Sequence, residues 1–295
     1  MGTTAQKLNK ILETKEAIRT AINNKGGTLT TTDTFASYPS AIDSLPSGGG
    51  GSLKTLLDAT KSTYYLFRNY SESSIDGLIS YSDTSNVTNM QSMFYGCSNI
   101  TTIPQLDTSS ATNMSYMFYN CANLATIPQL DTSSVTNMRD MFGSCNKITI
   151  TPQLDTSSVT NMEEMFYRCS KLITAQLNTI KVTNMTSMFS NCNRLTTIDI
   201  TYMNITSTTY SSYFASYCNS LTKLIIRNMP TIPVLHSSAF NNCYHFTGTT
   251  NATYNPQGLK DGRIYVPDDK VDALKTATNW STYADIIVPL STLQE

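Results

Sequence analysis

The spacing of the cysteines constrains the fold of this chain more than any other feature. All seven fall in one series, with successive gaps of 24, 24, 24, 23, 26 and 25 residues. A phenylalanine lies three residues before each cysteine, or four before Cys218. A fixed period in this range is typical of solenoids, in which each unit buries its apolar face only by stacking on its neighbours. The period therefore predicts a stack of short coils.

The middle of each unit has the spacing of a short helix. In the unit at 83–106, Thr88 and Gln91 have the spacing of a capping box, and Thr160 with Glu163 repeats it. Four apolar residues of the same unit follow the i, i+3, i+4, i+7 pattern of one helix face: Met90, Met93, Phe94 and Cys97. The pattern predicts one or two helical turns in every coil.

The end of each unit has the composition of a strand and a turn. Residues 100–106 are rich in β-branched side chains, which is typical of strands. Asp107 can then accept hydrogen bonds from backbone amides two residues on. Stacked units of this kind predict an α/β repeat solenoid similar to a leucine-rich repeat, with a parallel sheet on one face and short helices on the other.

The phenylalanine and cysteine series predicts a structural core ladder. An odd number of thiols cannot pair completely, and each occupies the same place in its unit, so we expect buried apolar thiols rather than disulfides. The ladder consists of Phe94, Cys97, Phe118, Cys121, Phe142, Cys145, Phe166, Cys169, Phe189, Cys192, Phe214, Cys218, Phe240 and Cys243.

The sequence divides into five segments. We expect a helical attachment or oligomerisation segment at 1–46, a Gly/Ser linker at 47–52, a capping repeat at 53–82, regular repeats at 83–250 and a C-terminal cap at 251–295. The attachment helix is predicted from an apolar stripe that needs a partner, because isolated helices of this length are marginal in water; a cap folded back on the solenoid is the alternative. The stripe consists of Leu8, Ile11, Leu12, Ile18 and Ile22.

The sequence of the C-terminal cap no longer follows the repeat pattern. Residues 263–266 predict a strand, and Pro267 then stands where a helix can begin. Trp280, the single tryptophan, is expected to plug the end of the core together with Val271 and Leu274.

Composition and motifs argue against several function classes. Charged residues make up 14% and the net charge is −1, so we expect no nucleic-acid partner. No apolar run reaches the length of a membrane span, so we expect no membrane insertion. His236 and His245 lack further ligands at metal-binding spacing, and the glycines at 48–51 lack the Lys-Ser/Thr of a phosphate loop. We expect no metal, no cofactor and no catalytic residues.

The repeats resemble the BspA-type leucine-rich repeat family. The resemblance is carried by DTSSVTNMRDMFGSC at 131–145, DTSSVTNMEEMFYRC at 155–169 and LATIPQL at 124–130. It covers about 83–246 and implies a solenoid for adhesion or recognition on bacterial surfaces, in protist surface proteins or in phage tails. It implies no enzymatic activity.

The N-terminal segment at 7–45 is similar to the N-terminal segments of phage tail and baseplate-associated proteins, through its helix, its Asn-Lys-Gly turn and its Phe-x-x-Tyr-Pro-x-x-Ile sequence. This resemblance implies partners among the other tail proteins. It also explains an N-terminus without a secretion signal. Analogy with phage fibres suggests a homo-oligomer, specifically a trimer.

Three tyrosines are candidates for the binding surface. Tyr95, Tyr119 and Tyr167 each follow the core phenylalanine of their unit, so they should point away from the core. Tyrosine and asparagine suit sugar or protein contacts, although a plain solvated surface explains them equally well.

Together these features predict a non-enzymatic virion protein of a bacteriophage tail, in a fibre or baseplate, that binds a host surface glycan or protein. A bacterial cell-surface adhesin located outside the cell is the first alternative. A glycan-cleaving tailspike is the second, since glycosidase sites assemble from distant carboxylates.

Overall fold

The computed structural model describes residues 19, 20, 23, 61–71, 73–75, 79 and 84–294. Five strands form one parallel sheet in the order β1-β2-β3-β4-β5. Their register places Ala175, Ile198, Leu224 and Ile264 side by side, so one apolar residue per coil points inward. The strands are β1 (Thr174–Leu177), β2 (Thr197–Tyr202), β3 (Lys223–Asn228), β4 (Arg263–Val266) and β5 (Ile287–Pro289).

Helices within 84–294 are short and occur toward its C-terminal end. The α-helices of this range are α1 (Tyr244–Thr247) and α2 (Val271–Thr276). The 3₁₀ helices span Thr208–Ser211, Asp268–Lys270, Ser281–Tyr283 and Leu290–Thr292. The sequence therefore predicted the repeat solenoid and its parallel sheet correctly, but the row of short helices is wrong.

The segments predicted as helices, such as 90–97, are instead runs of consecutive turns. These runs stack from coil to coil, and we call each stack a turn column. In the first regular coil the N–H groups of Met93, Tyr95 and Cys97 each bond the carbonyl three residues back. Between these bonds, the N–H groups of Ser92 and Phe94 donate instead to the next coil. Half of the backbone bonds thus run between coils, whereas an α-helix would keep all of them within one coil.

Left-handed backbone residues make this arrangement possible. Ser92 and Gly96 have φ angles of +58° and +75°, and the following coils repeat both positions as far as that of Cys218. The predicted capping box does not form, because Oγ1 of Thr88 donates to the carbonyl of Lys61 at 3.3 Å. The side chain of Asn89 takes that role and accepts the N–H of Gln91 at 3.0 Å. An i, i+3, i+4, i+7 pattern cannot distinguish such a turn column from a helix.

The strands predicted at 100–106 and 124–130 are also absent from the described structure. Each of these segments contains a proline, Pro104 or Pro128, and the next coil has Pro152 at the same place. Proline lacks the N–H that a sheet ladder requires. The following coil has no proline, since its segment 172–177 is one residue shorter, and β1 lies there. Asp107 does form its predicted turn, since its Oδ1 accepts the N–H of Ser109 at 3.1 Å.

The phenylalanines and cysteines of the series form the core. All fourteen are fully buried, and Phe67 extends the row into the preceding coil. Successive rings from Phe67 to Phe189 stack with centroids 5.5–5.8 Å apart. Tyr70, in the cysteine place of that first coil, packs against the same core.

The four-residue spacing before Cys218 has a structural explanation. The carbonyl of Phe214 accepts the N–H of Phe189, a role that methionine carbonyls fill in the preceding coils. Ala215 therefore occupies the usual phenylalanine place, and its carbonyl accepts the Cys243 thiol at 3.0 Å. The ring of Phe214 meets that of Phe189 edge-on at 84° rather than stacking. The larger Phe214 at the methionine place and the smaller Ala215 at the phenylalanine place together keep the coil filled.

The C-terminal cap covers the last coil. Residues 263–266 form β4, and Val271, Leu274 and Trp280 are buried. Trp280 Nε1 donates to the carbonyl of Pro233 at 2.8 Å, and its ring lies 6.5 Å from that of Phe240.

The predicted attachment helix, with Leu8, Ile11, Leu12, Ile18 and Ile22, lies outside the described residues, as do the linker at 47–52 and residues 53–60. Within the described ranges, the structure contains no helix of the length and hydrophobicity needed to cross a bilayer.

Candidate binding surface

The turn columns bring two of the three candidate tyrosines together. The rings of Tyr95 and Tyr119 stack with centroids 5.0 Å apart, and both residues are half-buried. Burial raises the pKa of Tyr119 above its ordinary value. Because the two rings face each other, those faces are not free to stack on a sugar. The pair offers its edges and hydroxyl groups to a ligand instead.

Tyr167 is separated from this pair by Gly143, which stands at the tyrosine place of the intervening coil. The ring of Tyr119 leans over Gly143, where an added β-carbon would lie 2.8 Å from Tyr119 Cδ2. The tyrosines therefore form a pair and a separate single residue.

Arginines complete the aromatic surface, and sequence reasoning missed them. The guanidinium of Arg68 lies 4.4 Å from the ring centroid of Tyr65 and 5.2 Å from that of Tyr95. Arg168 lies 5.0 Å from the ring centroid of Tyr167. Such cation–π contacts hold a guanidinium in place while its N–H groups stay available. The two arginines occupy different places, since Arg168 is one residue before Cys169 and Arg68 is two residues before Tyr70, so the repeat pattern did not reveal them.

A charged cluster lies beside the tyrosine pair. Asp140 is buried, and Arg139 Nε lies 3.5 Å from its Oδ2. Burial, together with a hydrogen bond and repulsion from Glu164, raises the pKa of Asp140 to about 8, although Arg139 opposes the shift. Burial and the charge of Asp140 raise the pKa of Tyr116 to about 12. The Asp140 carboxyl therefore holds a proton that an exposed aspartate would have lost at neutral pH.

The thiols are hydrogen-bond donors rather than reactive groups. Each Sγ donates to the carbonyl at the phenylalanine place of the preceding coil, as Cys145 does to Phe118 at 3.1 Å. Burial raises the pKa of Cys145 to about 12 and that of Cys243 further. All seven cysteines are free. Thiols that stay protonated make poor nucleophiles and metal ligands.

The histidines are engaged in local contacts. His236 Nδ1 lies 2.6 Å from Oγ of Ser238, and His245 Nδ1 lies 2.7 Å from Oδ1 of Asp261. Among the residues that the structure describes, no group of three potential metal-binding side chains is present.

A groove of about 430 Å³ lies on the strand side, between two of the proline-containing coils. Pro128 and Pro152 line it, and the exposed fraction of Ile150 there is 64%. Ile150 is exposed because its coil reverses the usual order of threonine and isoleucine. Thr151 is therefore turned inward and accepts the N–H of Gln176 at 3.2 Å.

The chain is similar to a family model and to a solved structure. A family model described as "Mycoplasma protein of unknown function, DUF285" matches residues 61–151 and 149–253. No curated protein matches the chain. Among solved structures, the chain is similar to the Leucine Rich Repeat protein (TpLRR) of T. pallidum, with 18% identity and a TM-score of 0.34, over 52% of this chain and 72% of that one.

Proposed function

The chain belongs to the family described as "Mycoplasma protein of unknown function, DUF285", and on this premise we propose that it is a non-enzymatic protein that recognises a cell surface. The supporting observation is the contrast within the repeat. Core places keep the same residue types from coil to coil, whereas the exposed place two residues after each cysteine holds Asn99, Lys147 or Arg194 in different coils. A constant core with a varied exterior suits a solenoid that presents an extended binding surface.

The absence of enzymatic activity is part of the proposal. The repeated aspartates could be catalytic in principle, but Asp107, Asp131 and Asp155 each accept the N–H of a serine two residues on. These bonds give them a structural role in the turns. Release of reducing sugar from surface polysaccharides would overturn this part of the proposal and favour the glycan-cleaving tailspike.

We further propose a location in the tail of a bacteriophage, in a fibre or baseplate, where the N-terminal segment contacts other tail proteins and the solenoid contacts a host glycan or protein. The support is the resemblance of residues 7–45 to phage tail segments. Homo-oligomerisation through that segment, as a trimer, follows by analogy. A bacterial cell-surface adhesin is the alternative location.

Two measurements test the proposal. The labelled chain should bind intact cells in a panel of bacterial species, and the Tyr95→Ala/Tyr119→Ala variant should bind them more weakly with an unchanged circular dichroism spectrum. Mass spectrometry should find the chain in purified virions. Failure to bind any cell would overturn recognition, whereas detection only in the bacterial envelope would overturn the phage location and favour the adhesin.

A further inference from the structure

Cationic side chains occupy the same exposed place in three successive coils of the solenoid. The place two residues after each cysteine is occupied by Asn99 and Asn123 in the first two coils, and by Lys147, Lys171 and Arg194 in the next three. All five residues are exposed. We call Lys147, Lys171 and Arg194 the basic column. Stacking at about 5 Å per coil, as between adjacent strands, puts these cations on neighbouring rungs.

Where an asparagine occupies this place, its side chain forms a hydrogen bond to the preceding coil. Asn99 Nδ2 donates to the carbonyl of Ser71 at 2.8 Å, and Asn123 Nδ2 donates to that of Ser98 at 3.0 Å. Each asparagine therefore bonds its coil to the preceding one. The cations of the basic column do not make this bond, so their presence forgoes a stabilising contact that the same place provides elsewhere.

The basic column has no acidic partners in the described structure. The ion pairs of the described residues involve none of its three members. Between Glu164 and Asp199 the chain has four cationic residues and no acidic one. Like charges on neighbouring rungs destabilise a stack, so the column costs stability twice, through repulsion and through the lost hydrogen bonds. A ligand that carries the opposite charge would offset both costs.

Neighbouring side chains add hydrogen-bonding groups beside the basic column. Arg168 is exposed on the ring of Tyr167, two residues before Ser170 in the chain. Ser170 Oγ donates to Asn146 Oδ1 at 3.1 Å, and Asn193 precedes Arg194. Amide and hydroxyl groups interleaved with cations suit a ligand that presents hydroxyl groups as well as negative charge.

We propose that the basic column, with Arg168, binds an acidic polysaccharide whose negative charges follow one another along the polymer. This inference rests on the proposed recognition of a cell surface and names the ligand class. Nucleic acid is disfavoured because the cations are few and the whole chain has a net charge of −1. A polysaccharide combines regular charge with sugar hydroxyls that asparagine and serine can bond.

The test uses the full chain, with polygalacturonate as the probe, dextran as its neutral counterpart and single-stranded DNA as a competing polyanion. Isothermal titration should show polygalacturonate binding that weakens as salt increases, and much weaker binding of dextran and DNA. The variant Lys147→Asn/Lys171→Asn/Arg194→Asn should lose at least about tenfold in affinity. Its melting temperature should be unchanged or higher, since each asparagine restores the bond seen at Asn123.

A matched control removes the same number of charges elsewhere, in Lys181→Asn/Lys223→Asn/Lys275→Asn, and should keep the affinity. Equal losses in both variants, no loss in the first, or equal binding of DNA would overturn the inference. If the chain binds cells but not polygalacturonate, this inference fails while the proposed recognition stands. If it binds neither, both fail.

Discussion

The coils at 84–149 and those at 150–289 share one core but differ in what joins them at the strand side. In both regions the turn columns run from coil to coil through bridges such as Asn113 to Asn137 and Asn161 to Asn184. Only the second region adds a parallel sheet. The difference coincides with the prolines, because β1 lies in the first coil that lacks one in this segment. The turn column and the stacked rings are thus sufficient to build a coil, and the sheet is an addition.

This comparison indicates that the two regions should differ in local stability. Solenoid stability is approximately a sum of unit and nearest-neighbour terms. Coils with two hydrogen-bonded sides should open less often than coils with one.

Replacement of Cys145 by aspartate should destabilise the first region most. The thiol is fully buried and donates to the carbonyl of Phe118, so a carboxylate there would be an unpaired charge facing an acceptor. We expect a loss of about 3–5 kcal/mol in the free energy of unfolding. Hydrogen exchange should show the amides of the neighbouring turn columns opening while β2 and β3 stay protected.

Cys145→Ser is the control, because a hydroxyl can keep the bond to the Phe118 carbonyl, and it should cost about 1 kcal/mol. An unchanged melting temperature for Cys145→Asp would contradict the burial of this thiol. Uniform loss of exchange protection across β2 and β3 would instead show that the two regions unfold as one unit.

Ala175→Pro tests the role of the prolines directly. Ala175 pairs with Ile198 across β1 and β2, and proline would remove its N–H and weaken the edge of the sheet. We expect a loss of about 1–3 kcal/mol. The matched change Pro128→Ala, in a coil without a strand, should change the free energy of unfolding by less than about 0.5 kcal/mol. Chemical denaturation measures both, and equal losses would remove the prolines as the cause of the regional difference.

The difference between the two regions also explains which parts of the structure could be predicted from the sequence. The cysteine period predicted the solenoid and its parallel sheet, and residues 263–266 were predicted as the strand that forms β4. The helix prediction at 90–97 was wrong because the bonds that replace it run to the next coil, and no local pattern shows them. The three candidate tyrosines were chosen by position alone, and position does not show that Tyr95 and Tyr119 stack on each other. The composition of residues 100–106 is typical of a strand except for Pro104, and that proline was the sign that no strand forms there.

The pH dependence of stability should trace to the first region. Asp140 has a pKa of about 8 in the folded protein, against an ordinary value of 3.8. A carboxyl group whose pKa rises on folding contributes stability that is fully present below about pH 4 and is lost as the pH rises through about 8. The wild-type melting temperature should therefore fall as the pH rises from 5 to 8.5, and the free energy of unfolding should fall by about 1 kcal/mol or more.

Asp140→Asn cannot ionise, so its stability should vary less over this pH range and exceed that of the wild type at pH 8.5. Asp199→Asn serves as the comparison, since Asp199 is paired with Arg227 on the sheet, and it should keep the wild-type pH profile. An unaltered pH slope in Asp140→Asn would show that the proton resides elsewhere, with Glu164 the next carboxyl to replace.

The smallest expected effect comes from the ion pair of the sheet itself. Arg227 Nε and Nη2 donate to the two carboxylate oxygens of Asp199 at 2.9 and 2.6 Å across β2 and β3. The exposed fraction of the arginine side chain is 45%, so solvent and salt screen the pair and it should contribute about 0.2–1 kcal/mol. A double-mutant cycle with Asp199→Asn and Arg227→Gln would measure the coupling, which should shrink in 1 M salt. A coupling above about 2 kcal/mol would mean that this surface pair joins the coils of the second region as strongly as the backbone sheet does. The sheet would then no longer suffice to explain the difference between the two regions.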